Sequence, residues 1–333
     1  MITMLHLLAV DAGGTSTRAA LLTGAGTCLG VGRGGRGNPV SDGADAAAAA
    51  IGTAIAHALA QAPSVPPGEV TAVTVAMAGG TVGSGGTDWL RPALEHIGVR
   101  APVRIEPDLL AMFASGTPEP DGYGLVAGTG STSVRVRHGE VDLTADGLGW
   151  LLGDSGSGFW IGHQVARAVA LDLDGRGPAT TLTPAALTTL GIDHGGAPDL
   201  NGRSAALAGL VSAVYLASPL RLATLAPLAF ADPADQVSNR IVTDAEGALA
   251  QLVLDVARPE LPGPLVVGGG VATQARILDS VTAAVRAGGV TGPVHRVDDG
   301  LVGAQVIALR RAGIEVDEAL FARLVETTGS CRG

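Results

Sequence analysis

The stretch VDAGGTST, residues 10–17, places an aspartate and a glycine–threonine turn directly after an apolar strand. Such a turn can bind phosphate, because glycine lets backbone N–H groups approach an anion closely. A Walker loop adds a lysine that reaches the terminal phosphates, yet all 21 basic residues of this chain are arginine. The absence of lysine excludes a Walker loop, and it also excludes Schiff-base and pyridoxal chemistry.

A second stretch, VAGTGSTSVRV at 126–136, repeats the order of strand, glycine–threonine turn and returning strand. Either turn alone is also typical of an ordinary hairpin, where glycine supplies a positive φ. Two turns in matching contexts favour phosphate binding and predict an internal duplication. The predicted phosphate-binding residues are Gly13, Gly14, Thr15, Thr129 and Gly130.

The composition excludes several classes of protein. The net charge is −10 and no basic run exceeds two adjacent arginines, so the electrostatic footprint of a nucleic-acid binder is missing. Cys28 and Cys331 suit neither a disulfide-rich scaffold nor a Cys-ligated metal cluster, and we interpret them as unreactive thiols. The N-terminus lacks a basic n-region, and the apolar segment 205–220 favours a buried helix. We therefore predict a cytoplasmic protein with no signal peptide and no membrane span.

Hydrophobic periodicity predicts an α/β chain. The first half reads β-β-β-α-β-α-β-α, and its last strand ends at Glu106-Pro107-Asp108. The second half opens with two strands and continues mainly with helices, which are predicted at 158–172, 205–216, 244–257, 273–286, 303–312 and 317–327. The stretch 175–200 reads mostly as loop.

The length of 333 residues favours two domains with a cleft between them. We predict an N-terminal lobe at 1–117 and a C-terminal lobe at 118–312. A C-terminal helix at about 313–333 is expected to pack back on the first lobe.

Three features could carry chemistry or could be purely structural. Asp11 could hold Mg²⁺ through water or could cap its own turn. In DGLGWLLGDSGSGFWIGHQ, residues 146–164, Asp154 could bind a polyhydroxylated ligand or N-cap the following helix. The glycines of VGGGV, residues 267–271, could face a base or ribose or could let a strand pack closely on a helix. We interpret His163, which has no second histidine at helical spacing, as a packed helix residue.

Together these pieces resemble the sugar kinase/actin/Hsp70 superfamily over nearly the whole chain. Within it they resemble the group of N-acetylglucosamine kinases, bacterial glucosamine kinases and activator ATPases of the BadF/BadG/BcrA/BcrD type. VDAGGTSTRAAL and DGYGLVAGTGSTSVRV are similar to its two phosphate loops, and PLVVGGGVATQ to its adenosine loop. GLGWLLGDSGSGFWIGHQ resembles the sugar-kinase signature GWG-x-x-x-GDEGS-x-x-WI and is the most specific match. The resemblance implies a two-lobed actin-like ATPase fold, built from duplicated ribonuclease H-like domains.

The resemblance also implies roles for single residues. Asp11 would organise Mg²⁺ through water, and Asp108 in EPDLLAMFAS would be the catalytic aspartate and contact the substrate. Asn38, in a GNP turn, would hydrogen-bond the sugar ring, and Gly268 and Gly269 would face adenosine. Further substrate contacts are implied for the positions that match the sugar loop: Ser131, Thr132, Gly147, Leu148, Gly149 and Asp154.

The function implied is an ATP- and Mg²⁺-dependent kinase that phosphorylates the 6-hydroxyl of glucosamine or N-acetylglucosamine. Leu148 replaces the first tryptophan of the signature and Ser155 stands where it has glutamate, which leaves the choice between the two sugars open. A homodimer is common among such kinases.

Two alternatives stand beside the amino-sugar kinase. The first is an activator-type ATPase or a kinase for another hexose, although activator ATPases carry Fe–S cysteines that this chain lacks. The second is a non-catalytic sugar or nucleotide sensor. Sensors of this superfamily carry an N-terminal DNA-binding helix pair, and we expect none where Asp11 follows only ten residues.

Overall fold

Two five-stranded sheets of matching topology form the framework of the molecule. The computed structural model describes residues 5–77, 86–193, 195, 198 and 202–332. The first sheet has the order β3-β2-β1-β4-β5 and the second the order β8-β7-β6-β9-β10. In each, three antiparallel strands are followed by two strands parallel to the first. The predicted duplication is confirmed.

The strands of the first sheet are β1 (His6–Ala12), β2 (Thr17–Thr23), β3 (Cys28–Gly34), β4 (Val70–Met77) and β5 (Val103–Pro107). Those of the second are β6 (Gly122–Ala127), β7 (Ser131–Arg137), β8 (Glu140–Asp146), β9 (Leu265–Gly268) and β10 (Val294–Val297). The helices are α1 (Pro39–Asp42), α2 (Ala44–Ala60), α3 (Arg91–His96), α4 (Asp108–Gly116), α5 (Gly158–Leu173), α6 (Leu182–Leu190), α7 (Ala205–Tyr215), α8 (Gln236–Val256), α9 (Ala275–Ala287), α10 (Leu301–Arg311) and α11 (Glu318–Cys331). Short 3-10 segments lie at Pro67–Glu69, Asp88–Leu90 and Pro219–Phe230.

Each of the helices α4 and α10 packs against the sheet that it does not directly follow in sequence. α4 follows the first sheet in sequence but packs against β9 and β10 of the second, while α10 follows the second and packs against β1 and β4. Their crossing is close, because a Cβ added at Gly303 would lie 1.7 Å from the carbonyl oxygen of Ala111. The apolar cluster around this crossing joins residues from both sheets into one core. The two sheets therefore share one packed core.

The end of the chain packs on the edge of the first sheet, where α11 contacts β3. The predicted lobe boundary at 117/118 falls between α4 and β6 and stays a prediction. No helix of the described residues is long and apolar enough to cross a bilayer.

Several elements differ from the sequence-based prediction. The stretch 175–200, predicted as loop, contains α6. α8 begins eight residues earlier than predicted, because the side chain of Asp235 caps it by accepting from the N–H of Val237 (3.0 Å). The segment 205–220 is not a buried helix: α7 ends at Tyr215, which is 84% exposed, and Leu216 is 89% exposed. The strands β8 and β10 were not predicted.

Candidate functional site

The first glycine–threonine turn joins β1 to β2 and, among the described residues, is bonded to the segment at 36–37. The carbonyl of Gly13 accepts from the N–H of Gly37 (3.1 Å). The carbonyl of Gly14 accepts from the guanidinium of Arg36 (2.8 Å). Gly14 and Thr15 are exposed, and no described group accepts from their N–H groups. These N–H groups can therefore bind an anion.

Asn38 lies next to this turn and begins α1. Its side-chain oxygen accepts from the N–H of Val40 (2.9 Å) and so caps the short helix. Its amide nitrogen has no partner among the described residues, which leaves donors for a sugar hydroxyl. Because Gly37 is bonded to Gly13, the predicted sugar and phosphate contacts of the first lobe are adjacent.

Asp11, the last residue but one of β1, belongs to a network of charged groups that extends to Arg332. Its carboxylate accepts from the N–H of Gly300 (3.0 Å), directly before α10. Arg18 lies between two carboxylates, with Nη1 3.9 Å from Asp11 and Nε 3.3 Å from Asp299. Asp299 also pairs with Arg332 (2.7 Å), which follows α11. Residues far apart in sequence thus fix the position of Asp11.

The electrostatics of Asp11 suit a nearby cation. Burial raises its pKa to about 6, and the charges of Asp299 and Asp108 act in the same direction. A cation would favour the ionised form and relieve this cost. Among the described residues, no group of three His, Cys, Asp or Glu side chains is placed to hold a metal directly. A metal bridged to Asp11 by water fits the residues that are present.

Asp108 and Glu106 stand at the end of β5 in very different surroundings. Glu106 is buried and bound by Arg311 through hydrogen bonds of 2.6 and 2.9 Å, so it is not available as a base. Asp108 begins α4, and its Oδ1 accepts from the N–H of Leu109 (2.9 Å). Burial raises the pKa of Asp108, although hydrogen bonds from backbone N–H groups oppose the rise. Asp108 is therefore the carboxyl group at this strand end that can exchange a proton.

The second glycine–threonine turn joins β6 to β7 and is bonded to the start of α5. The carbonyl of Gly128 accepts from the N–H of Gly158 (2.7 Å), and that of Thr129 accepts from Phe159 (3.0 Å). The N–H groups of Thr129 and Gly130 donate to no described group, and Thr129 is exposed. This turn also presents free donors.

Two further loops are bonded to the same turn. The carbonyl of Ala127 accepts from the N–H groups of Val271 and Ala272 (2.9 and 3.1 Å), in the loop after β9. The carbonyl of Ser131 accepts from the N–H of Gly147 (3.0 Å), at the start of the sugar-loop sequence. The three second-lobe motifs found in the sequence thus converge on residues 127–131.

Asp146 organises the sugar-loop sequence. It has a positive φ of 61°, and its carboxylate accepts from the N–H groups of Asp154 (2.7 Å) and Ser155 (3.0 Å). Burial favours a higher pKa, but the hydrogen bonds from these N–H groups outweigh it and lower the pKa of Asp146. The loop that it closes exposes Leu148, Leu151 and Leu152 to solvent.

Asp154 is buried against the second turn and does not cap α5. Its Oδ1 accepts from the N–H of Ser131 (3.1 Å), and its φ of 60° is left-handed. Ser157 is the cap, accepting from the N–H of Trp160 (3.1 Å), so the capping interpretation of Asp154 is wrong. Burial raises the pKa of Asp154 against the effect of the Ser131 bond.

The remaining sugar-loop positions surround this contact. The hydroxyl of Thr132 donates to the carbonyl of Ala145 (3.2 Å), and a Cβ at Gly147 would lie 3.0 Å from that hydroxyl. Gly149 has a positive φ of 81°. His163 is half-buried and stacks on Phe159, with ring centroids 5.8 Å apart. Its position in α5 agrees with a packing role.

A cavity of about 540 Å³ opens beside the second turn. It is lined by Gly128, Thr129, Gly270, Val271 and Gln274, together with apolar residues of the 3-10 segment Pro219–Phe230. The predicted contacts of Gly268 and Gly269 with adenosine stay a prediction. A Cβ at Gly268 would meet Met112 and Val297, and one at Gly269 would lie 2.5 Å from the carbonyl oxygen of Ala127. These two glycines permit close packing, and Gly270 lines the cavity.

The structure brings together residues that the sequence analysis missed. Asp146 and Asp299 each precede a glycine, in a pair that is typical of turns, and this is the signal that could have found them. A larger cavity of about 960 Å³ lies apart from these residues, between α5 and the start of α8. None of the predicted site residues lines it.

Comparison with known proteins places this geometry in context. The profile of the BadF/BadG/BcrA/BcrD ATPase family matches residues 8–308. An N-acetyl-D-glucosamine kinase of Dictyostelium discoideum is 33% identical over 187 residues, which cover 53% of this chain and 55% of that protein. The match thus spans little more than half the length of this relative.

Solved structures share the fold over almost the whole chain. A candidate N-acetylglucosamine kinase from Chromobacterium violaceum superimposes with a TM-score of 0.71 at 24% identity, covering 92% of this chain and 99% of that one. A second candidate N-acetylglucosamine kinase, from Porphyromonas gingivalis, gives a TM-score of 0.68 at 21% identity and covers 92% and 100%. The two-lobed fold predicted from the sequence is confirmed.

Proposed function

The chain belongs to the BadF/BadG/BcrA/BcrD ATPase family, and from this premise we propose that it is an ATP-dependent amino-sugar kinase. It transfers a phosphoryl group to the 6-hydroxyl of glucosamine or N-acetylglucosamine. One observation carries the proposal: residues 127–131 are hydrogen-bonded both to the wall of the cavity beside β9 and to the sugar-loop sequence. A nucleotide in the cavity and a sugar at the loop would therefore meet at one turn.

The nucleotide binds through backbone donors. The apolar cavity takes the base, and the free N–H groups of Gly14, Thr15, Thr129 and Gly130 take the phosphates. Mg²⁺, held through water beside Asp11, supplies charge neutralisation on the phosphates when it is bound. This arrangement replaces the lysine that the chain lacks.

The sugar binds between Asn38 on the first lobe and the loop around Asp154 on the second. The unpartnered amide nitrogen of Asn38 donates to a ring hydroxyl, and the carboxylate of Asp154 accepts from another. Binding from both sides orients the 6-hydroxyl and excludes water, which limits wasteful ATP hydrolysis.

Asp108 acts as the base. Its carboxylate accepts the proton of the 6-hydroxyl as the new O–P bond forms, and the proton stays on Asp108 until product leaves. The raised pKa of Asp108 favours this uptake, because partial burial makes the ionised carboxylate less favourable relative to the protonated acid. Glu106 cannot substitute, since Arg311 holds both of its oxygens.

The test is ATP consumption with Mg²⁺ over a panel of glucosamine, N-acetylglucosamine, glucose, N-acetylmannosamine and no sugar. Turnover with one amino sugar well above glucose supports the proposal. ATP loss that does not depend on sugar would favour the activator-type ATPase. Binding of sugar and nucleotide with no turnover at all would favour the non-catalytic sensor.

Asp108→Asn tests the assignment of the base. We expect turnover to fall by about 10²- to 10⁴-fold while sugar binding is retained, because the substitution removes the proton acceptor and preserves the shape. Asp45→Asn is a matched control, since Asp45 is an exposed acid in the first turn of α2. Equal activity of both variants would contradict the role of Asp108.

The cytoplasmic location, the homodimer and the absence of a nucleic-acid partner stay predictions from the sequence.

A further inference from the structure

Cys28 and Cys331 lie 303 positions apart in the sequence and meet at the edge of the first sheet. The thiol of Cys331 lies 3.5 Å from the carbonyl oxygen of Cys28. Both side chains belong to one small apolar cluster. These are the only cysteines of the chain, and they are brought together by the tertiary structure.

The backbone around the pair is fixed by several contacts between α11 and the first sheet. The N–H of Cys28 donates to the hydroxyl of Thr327 (3.0 Å), and Arg323 donates to the carbonyl of Ala25 (2.7 Å). On the far side of Cys331, Arg332 pairs with Asp299 (2.7 Å). The thiols are therefore held together by contacts that do not involve sulfur.

The two thiols differ in access. Cys28 is 4% exposed, and burial raises its pKa to about 12, with the neighbouring Cys331 thiol adding to the rise. Cys331 is partly exposed. Because the thiolate is the attacking species and needs access, a solution oxidant meets Cys331 first.

We propose that Cys28 and Cys331 form a dithiol site that is oxidised by a small-molecule disulfide to an intramolecular disulfide, which ties α11 to β3. The positions suit this reaction because a disulfide needs two thiols that are already adjacent and a backbone that is held in place. The proposal does not rest on the proposed kinase activity.

The oxidation proceeds by two exchanges with glutathione disulfide. The sulfur of Cys331 attacks one sulfur of the oxidant, forming a mixed disulfide and releasing one glutathione, which takes up the proton that Cys331 loses. The sulfur of Cys28 then attacks the Cys331 sulfur and releases the second glutathione, which takes up the proton of Cys28. Two protein thiols are oxidised, and one glutathione disulfide is reduced to two thiols.

A disulfide here closes a loop over almost the whole chain, and such loops restrict the unfolded chain strongly. It also holds Arg332 against Asp299, the partner of Arg18 beside Asp11. We therefore expect the oxidised protein to unfold at a Tm several degrees higher than the reduced protein.

The experiment equilibrates the folded protein in glutathione buffers, denatures it in the presence of an alkylating agent and measures its mass. The expected product is a monomer that lacks two hydrogen atoms, carries no alkyl group and regains two alkylatable thiols after reduction. Two alkyl groups after oxidation, an arrested glutathione adduct or a covalent dimer would overturn the proposal.

Single substitutions test the order of the steps. In Cys28→Ser, Cys331 should accumulate the glutathione adduct, because no second thiol displaces it. In Cys331→Ser, the buried Cys28 should remain unmodified in the folded protein. Faster modification of Cys28 than of Cys331 would overturn the assignment of Cys331 as the entry point. The rise in Tm on oxidation should be absent from both variants.

Discussion

The two glycine–threonine turns look alike in sequence but differ in their surroundings. Among the described residues, which leave out 78–85 after β4, the first turn is bonded by Arg36 and Gly37. The second turn, at residues 127–131, is bonded to α5, to the loop after β9 and to the loop around Asp154. The second turn therefore positions two other loops, whereas the described contacts of the first turn come from the segment at 36–37. Duplicated turns can thus take part in different sets of contacts.

The largest difference between the turns should come from Asp154, which has no counterpart among the described residues that bond the first turn. Asp154→Ala leaves the N–H of Ser131 unpaired. It also places alanine in the left-handed region, where its side chain cannot hydrogen-bond to the local backbone as that of aspartate can. We expect unfolding free energy to fall by about 2–4 kcal/mol. Sugar kcat/KM should fall by about 10- to 100-fold as the hydrogen-bond partner of the sugar is lost.

Asp154→Asn is the matched variant, because asparagine keeps the acceptor for Ser131 and tolerates a positive φ. It should unfold like the native protein in thermal denaturation and still lose sugar kcat/KM. Near-native activity of Asp154→Asn would show that the residue only supports the turn.

The second-largest effect should come from Gly130→Ala in the second turn. An added Cβ would lie 2.7 Å from Oδ1 of Asp154, so the carboxylate must shift. We expect a loss of about 1–3 kcal/mol in denaturant unfolding, as for other overpacked sites, together with weaker sugar binding. A variant as stable as the native protein would contradict the close contact between this turn and Asp154.

Gly14→Ala makes the equivalent change in the first turn and should have a smaller effect. No atom lies within 4 Å of the added Cβ, so the folded protein has room for it and the Tm should not fall. If phosphate approaches this glycine as proposed, the methyl group should raise the KM for ATP by about tenfold, or 1.4 kcal/mol. An unchanged KM would remove Gly14 from the phosphate site.

The smallest effect is on the pH profile of kcat. Asp108 must be ionised to accept a proton, and burial raises its pKa above the ordinary 3.8. Activity should therefore be lost, as pH falls, at a higher pH than for an exposed aspartate. The profile is measured at saturating sugar and Mg-ATP. An acid limb at or below pH 3.8 would contradict the burial of this carboxyl group.

Much of the candidate site could be predicted from the sequence, because local patterns mark it. The glycine–threonine turns, the strand that ends at Asp108 and the glycine-rich sugar loop are continuous stretches, and hydrophobic periodicity places them at strand ends. The close packing at Gly268 and Gly269 could not be predicted, because a glycine in a strand–turn–helix looks the same in sequence whether it faces a ligand or a neighbouring carbonyl. The exposure of α7 was missed for a similar reason, since an apolar stretch does not show what covers it.

The duplicated α/β fold, the two turns and the residues on them can be predicted from the sequence, since they follow from chain-local periodicity and backbone preference. Which groups are free and which are bonded depends on the tertiary structure. The tertiary structure pairs Glu106 with Arg311, places Asp299 and Gly300 beside Asp11, and brings Cys28 to Cys331. These contacts join residues about 200 to 300 positions apart. They depend on how α10 and α11 dock on the first sheet, which no local pattern encodes.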